Sequence, residues 1–321
     1  MQAHDVFIGV DVAKASLSIC RHGEPGCHEL SNDEASLRSW LCTLPSPATI
    51  AVESTGRYHL AVVRLAHALG HRTFVLNARD VYFYAKALGA RGKTDRTDAQ
   101  IIARYVAEHH ATLKPWAAGT PEQERLQELL RCRAGVTSKR MSLRQVLRDV
   151  QELAPAVLGL EQQFDELLDL IDRQVATLVA ADERLSQGCA ALRTITGFGP
   201  QGSAMLSALL SRVDFANADA LVAYSGLDPR PNDSGVKTGR RRISKRGSPE
   251  LRRQLYLTAF AASHSKAVGP LYRSIKAKGF KPTQALVILA RKLLRVAWAV
   301  WKTGKPFDPS LLALPPACAK T

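Results

Sequence analysis

The sequence predicts an α/β unit followed by an all-α remainder. Short apolar runs rich in β-branched residues alternate with helical patterns over roughly the first 110 residues, which is the signature of a sheet with parallel connections. From Pro121 onward the strand-like runs give way to long helical periodicities. The chain has 321 residues and is 46% hydrophobic, enough to bury the cores of two or more domains.

The opening residues 5–11 and 16–20 read as two strands joined by the turn Val12-Ala13-Lys14-Ala15, with a weaker third strand at 26–30. Asn32 or Asp33 can cap a helix through Leu37 and Leu41 that ends near Pro45. Residues 49–53 form a short buried-type strand, and Ser54-Thr55-Gly56 opens a helix stopped by Gly70. A strand at 73–76 and a helix over 81–88 follow. The stretch Lys93-Thr94-Asp95-Arg96-Thr97-Asp98-Ala99-Gln100 then opens another helix.

Beyond it, Leu126, Leu129, Leu130, Leu143 and Val146 recur at helical spacing up to Pro155, where the run is expected to close. Phe164, Leu168, Ile171 and Val175 repeat the pattern on a second helix, so an antiparallel hairpin is expected. So thin a hairpin buries little alone, which favours packing against another chain. Residues 192–208 read as a helix–hairpin–helix whose Gly197-Phe198-Gly199 turn could offer backbone N–H groups to phosphate, or be a plain tight turn. A short helix at 217–224, a turn-rich loop at 225–235 and a final apolar helix at 283–301 complete the chain. In that last helix Trp298 and Trp301 are expected to be packing anchors. The expected divisions are 1–113, 114–186 and 187–321.

Lys and Arg number 44 against 29 acidic residues, a formal charge of +15, which suits a polyanionic partner. No apolar run approaches the ~18 residues of a membrane span, and no signal-peptide pattern opens the chain, so no membrane partner and a cytoplasmic location are expected. Aromatic residues are only 6%, so composition does not advertise a base-stacking surface. The six cysteines are scattered without a Cys-x-x-Cys pair, and reduced thiols are expected. His109-His110 and Cys27-His28 lack partners at metal-ligand spacing.

Four acids carry the candidate chemistry. Asp11 and Glu53 each end a strand-like run, and Asp95 and Asp98 share the first turn of a helix. Asp95 and Asp98 also suit an ordinary N-cap and N3 pair. Carboxylates without His or Cys partners suit Mg²⁺, with Mn²⁺ as a substitute, and two such ions can clamp a phosphodiester. Basic residues Lys237, Arg240, Arg241, Arg242, Lys245, Arg246, Arg252 and Arg253 follow the turn-rich loop and are candidates for phosphate contact. Ser234, beside Gly235 and near these cations, is a candidate nucleophile, with Ser225, Ser244 and Ser248 comparable by spacing.

The chain resembles the DEDD transposases of the one-ten insertion-sequence family, serine recombinases guided by a bridge RNA. The matching pieces, in order, begin with Ile8-Gly9-Val10-Asp11-Val12-Ala13-Lys14, Val52-Glu53-Ser54-Thr55-Gly56 and Lys93-Thr94-Asp95-Arg96-Thr97-Asp98-Ala99. They continue with Ile195-Thr196-Gly197-Phe198-Gly199, Tyr224-Ser225-Gly226-Leu227-Asp228-Pro229, Asp233-Ser234-Gly235 and Ile243-Ser244-Lys245-Arg246-Gly247 with Leu251-Arg252. The resemblance implies a RuvC-like, RNase H-fold N-terminal domain, a coiled-coil segment and a mainly helical C-terminal transposase domain. It implies that Asp11, Glu53, Asp95 and Asp98 bind metal and that Ser234 forms the covalent link to DNA, with Ser225 in reserve. It further implies partners: element and target DNA, a guide RNA, and further copies of the chain as homodimer or homotetramer, one subunit's acids meeting another's serine. The alternatives are a RuvC-type nuclease using activated water, a non-catalytic nucleic-acid-binding protein and, more remotely, an actin-like sugar kinase.

Overall fold

The computed structural model describes residues 6–54, 56–89, 95–230, 239 and 241–309, with the side chains of Asp95 and Arg96 outside that description. The described chain divides into two compact units, Met1–Ala118 and Gly119–Thr321.

The first unit is built on a five-stranded sheet in the order β3-β2-β1-β4-β5. Strands β1 (Phe7–Val12), β2 (Ser16–Arg21) and β3 (Cys27–Ser31) form an antiparallel meander, while β4 (Thr49–Glu53) and β5 (Arg72–Leu76) join parallel to β1. The side-chain period of two divides β1 cleanly. Ile8, Val10 and Val12 pack with Leu37, Trp40, Val62 and Val63 of α1 (Glu34–Cys42) and α2 (His59–Ala68). Phe7, with Ala51 of β4, faces the other side and meets Ile101, Ile102 and Val106 of α4 (Asp95–His109). Helix α3 (Ala78–Ala87), capped by Asn77, closes the same layer through Val81 and Tyr84.

Three expectations change here. Helix α2 begins at His59, later than the Ser54-Thr55-Gly56 start. The unit extends past residue 113 because Trp116 donates its N–H to the Thr73 carbonyl at 2.7 Å and sets its ring edge-on to His67. Cys20 and Cys27 are joined in a disulfide rather than held as thiols. The register pairs Cys20 directly with Cys27, with Cα atoms 4.5 Å apart, the close spacing of a non-hydrogen-bonded antiparallel pair. Sequence spacing alone did not expose that register. Cys42, Cys132 and Cys189 remain thiols.

The second unit opens with the expected hairpin, α5 (Pro121–Leu147) and α6 (Ala154–Ala181), joined through a 3-10 turn at Gln151–Leu153. A capping box between Thr120 and Gln123 starts α5. Pro155 lies in the first turn of α6, where a missing N–H costs nothing, so it begins the second helix instead of closing the first. Arg140 and Arg144 both grip Glu161 across the hairpin at 2.6 Å, and Arg133 holds Asp172. The base of the hairpin does not stand apart as a segment ending at 186. Leu126, Leu130, Ile171 and Val175 share one cluster with Leu185 and Cys189 of α7 (Glu183–Arg193) and with Ala204 and Ala208 of α8 (Pro200–Arg212).

The main core of this unit surrounds α12 (Pro282–Thr303), whose Ala285, Leu289, Leu293 and Ala297 are essentially inaccessible. Against it pack α7, α9 (Ala218–Ser225), α10 (Pro249–Ser263) and α11 (Gly269–Ala277). Trp301 does act as an anchor: its ring fills the space a side chain at Gly188 would need. Among the described residues no helix is long and apolar enough to cross a membrane.

Candidate active site and nucleic-acid interface

Two neighbouring strands and one helix place the acids of the first unit. The parallel register pairs Phe7 with Thr49 through to Val10 with Val52, so the next level sets Asp11 beside Glu53 at the carboxyl edge. Adjacent strands lie about 4.8 Å apart, and ligands of such sheets collect at this edge. Asp11 follows Phe7 and Gly9, and Glu53 follows Ala51, on the face that α4 covers.

The course of α4 over that face is fixed by two contacts. Near its C-terminal end, His110 meets the ring of Phe7 with centroids 4.8 Å apart. In its middle, Ala99 and Ala103 press on Gly9, where an added Cβ would stand 2.8 Å from the Ala103 Cα. The helix therefore runs antiparallel to β1, and its first turn, with Asp95 and Asp98, is directed toward the level of Asp11 and Glu53. Gly9 is what permits so close a crossing of helix and strand.

Asp11, Glu53 and Asp98 are each half-buried. Among the described residues no three His, Cys, Asp or Glu side chains are gathered closely enough to hold a metal ion. The side chain of the fourth acid, Asp95, lies outside the description. As a donor set, four carboxylates fit a hard divalent cation and no soft one. The backbone register thus brings the acids to one edge of the sheet, while the described side chains do not themselves close a coordination shell.

The second unit carries the serine candidates. Ser234, Lys237 and Arg240 lie outside the described residues. What is described on either side of them is a two-stranded ribbon of β6 (Pro229–Arg230) and β7 (Arg242–Ile243). Below the ribbon, Ser244 donates its N–H to the Asp228 carbonyl at 2.9 Å and its hydroxyl to the Asp228 carboxylate. Gly226 adopts φ +72°, and an added Cβ there would meet the Arg246 nitrogen at 2.7 Å. Lys245, at φ +56°, accepts left-handed backbone without being glycine and donates its N–H to the Gly226 carbonyl.

The three described serines are engaged in and beside this clasp. Ser225 is completely buried, donating to the Val222 carbonyl at 2.7 Å and accepting from the Leu227 N–H at 3.3 Å. Its hydroxyl is thus engaged by backbone partners. Ser244 is buried in the clasp, and Ser248 caps α10 by accepting the Leu251 N–H. The role of the clasp was missed in the sequence, although the paired runs Ser225-Gly226-Leu227-Asp228 and Ser244-Lys245-Arg246-Gly247 hold its signal.

The described cations separate in the same way. Arg241, Arg242, Lys245, Arg246 and Arg253 are exposed. Arg252 is not available to phosphate in the same sense, because its guanidinium donates to the Gly247 carbonyl and reaches the Ser225 carbonyl. Burial lowers its pKa from the ordinary value, with Glu250 opposing. In the Gly197-Phe198-Gly199 turn, Gly197, at φ +99°, packs against α10 and Phe198 is buried, while Gly199, at the start of α8, has open space beside it.

With this geometry in place, comparison with known proteins is informative. Residues 8–154 match the model of the DEDD transposases of IS110 elements, and residues 189–273 match the transposase model of the IS116/IS110/IS902 family. The pilin gene-inverting protein of Moraxella bovis is 27% identical over 318 residues, covering 94% of this chain and 97% of that protein. The transposase for insertion sequence element IS1328 of Yersinia enterocolitica is 25% identical, covering 94% of this chain and 98% of its own. The transposase for IS1111A of Coxiella burnetii is 25% identical over 92% of this chain and 89% of its own.

Proposed function

Because this chain belongs to the IS110 family of insertion-sequence transposases, we propose that it excises and inserts a mobile element through a covalent phosphoserine intermediate. The observation that supports the reading is the register that sets Asp11 beside Glu53 at one sheet edge, with α4 running its first turn toward that edge. The RuvC-like RNase H fold is the reading that best suits the strand order β3-β2-β1-β4-β5, with three antiparallel strands followed by two parallel ones.

In this proposal Asp11, Glu53, Asp95 and Asp98 would hold Mg²⁺. When bound, such an ion supplies Lewis-acid polarisation of a phosphodiester oxygen. Ser234 attacks phosphorus: its Oγ–P bond forms as the P–O bond to one strand end breaks, and the departing oxygen takes up the proton lost by the serine. The energy of the broken bond stays in the phosphoserine, so the reverse attack by a strand hydroxyl rejoins DNA without another energy source. The Asp228–Ser244 clasp ties together the residues that flank the segment bearing Ser234, and Arg241, Arg242, Lys245 and Arg246 hold phosphates by charge.

Target choice by a guide RNA is part of the same reading, the protein contributing charge and shape while pairing reads sequence. Association of several copies is favoured by the apolar residues the hairpin leaves exposed, among them Met141, Val146, Leu158 and Leu167. The name of the Moraxella relative, a gene-inverting protein, suits a reaction whose ends are rejoined.

The deciding experiment analyses denatured reaction products. DNA fixed to protein in the wild type and absent in Ser234→Ala supports the recombinase. Free ends made equally well by Ser234→Ala would instead indicate a nuclease that uses water.

A further inference from the structure

Helix α3 is amphipathic in an unusual sense. Its inner side, Val81 with Tyr84 and Ala85, packs into the first unit's core. Its outer side carries Arg79, Tyr82, Phe83 and Lys86, spaced i, i+3, i+4 and i+7 on one helical face. Tyr82 is 52% exposed and Phe83 50%, a large apolar area to leave in water on a charged protein.

Both rings are held in place rather than loose. The Arg79 guanidinium lies 5.5 Å from the Phe83 ring centre, and the Lys86 ammonium 4.8 Å from that of Tyr82. The two rings meet edge to face at 5.4 Å. On the inner side Tyr84 donates to Glu108 at 2.5 Å and stacks edge-on to Tyr105 at 5.0 Å, which fixes the rotation of α3 about its axis.

The position of this face matters as much as its make-up. Glu53 pairs with Leu76, the last residue of β5, and α3 starts two residues later. Val81 clusters with Ile101 and Ile102 while Tyr84 reaches Tyr105 and Glu108, so α3 and α4 run in the same sense. The first turn of α3 therefore lies toward the end of α4 that carries Asp95 and Asp98, beside the carboxylate edge.

We propose that the outer face of α3, through Tyr82 and Phe83 with Arg79 and Lys86, is a stacking platform for unpaired nucleotides of the DNA strand led to the carboxylate edge. Aromatic rings accept any base by its face, and the interleaved cations complement the phosphates between bases. The inference rests on the DNA-transposase reading for its choice of DNA.

The test uses the full chain and a labelled mixed-sequence oligonucleotide, offered as single-stranded DNA, as duplex DNA and as single-stranded RNA. Tyr82→Ala with Phe83→Ala is expected to weaken single-stranded DNA binding by about tenfold or more per stacked base lost. Duplex affinity is expected to hold within about twofold, and Tyr82→Phe to retain wild-type binding. Lys86→Ala is expected to flatten the salt dependence. Equal losses on single strand and duplex, or a loss confined to RNA, would overturn the proposal. So would unchanged binding accompanied by a change in sedimentation, which would mark the face as a contact between copies. Asp11→Asn separates the two readings: it should stop cutting and leave single-strand binding intact. A wild-type chain that cuts no DNA yet binds single strands through these rings would sink the transposase reading and keep this one.

Discussion

Gly9 of β1 lies against the backbone of Ala99 in α4, with no room for a methyl group between strand and helix. That contact sets the height at which α4 crosses the sheet, and with it the height of Asp95 and Asp98 relative to Asp11. Gly9→Ala must push the helix off the strand. Overpacking against rigid backbone is expected to cost more than about 3 kcal/mol, a fall of roughly 10 °C in the Tm of the first unit. Thermal unfolding checks it, and an unshifted transition would show that the crossing is not as tight as described.

The neighbouring acids are expected to be needed one by one. Asp11→Asn, Glu53→Gln and Asp98→Asn should each cut strand cleavage by about a hundredfold or more while DNA binding persists. Chelation of divalent ions should do the same to the wild type, and Mg²⁺ should restore it. A plasmid carrying the element ends reports the cleavage, and a gel-shift the binding.

Ser225 offers a contrast with Ser234. Ser225→Ala removes two hydrogen bonds in a fully buried place, which is expected to cost about 1–3 kcal/mol of stability. The yield of covalent protein–DNA product per folded molecule should not change. Denaturant unfolding together with adduct quantification measures both. Loss of the adduct in a folded Ser225→Ala protein would reverse the assignment.

The hairpin provides an acid-dependent signature. Hydrogen bonding from Arg144 holds the Glu161 carboxyl below its ordinary value of 4.5, and Arg140 does likewise for Asp165 from 3.8. Both groups bind protons more weakly folded than unfolded. Their stabilisation is therefore present above the ordinary values and is lost as pH falls through the lower, folded ones. The Tm of the wild type is expected to drop between about pH 5 and pH 3 more steeply than that of Glu161→Gln. Parallel curves would mean the ion pairs contribute nothing to the hairpin.

The other end of the pH scale has its own reporter. Burial, then the bond to Glu108, raises Tyr84 to about 12. Its neutral form is favoured by folding, so that contribution is whole below the ordinary value of 10.0 and is lost as pH rises through about 12. Ultraviolet difference titration should show a late tyrosine that is missing in Tyr84→Phe.

By itself the sequence determined the alternation of strands and helices, the long hairpin and the family, because apolar period and ordered motifs are local properties of the chain. It also marked Asp11, Glu53, Asp95 and Asp98 as acids at element ends. Only the tertiary structure decided what depends on register and approach. Cys20 faces Cys27 because of how β2 pairs with β3, and Pro155 starts a helix because the turn before it has already reversed the chain. The hydrogen bonds of Ser225 and Arg252 follow from the same cause: whether a hydroxyl or a guanidinium meets solvent or a carbonyl is fixed by residues distant in sequence. Aromatic content was equally uninformative, since an average of 6% conceals two rings set side by side on the exposed face of one helix.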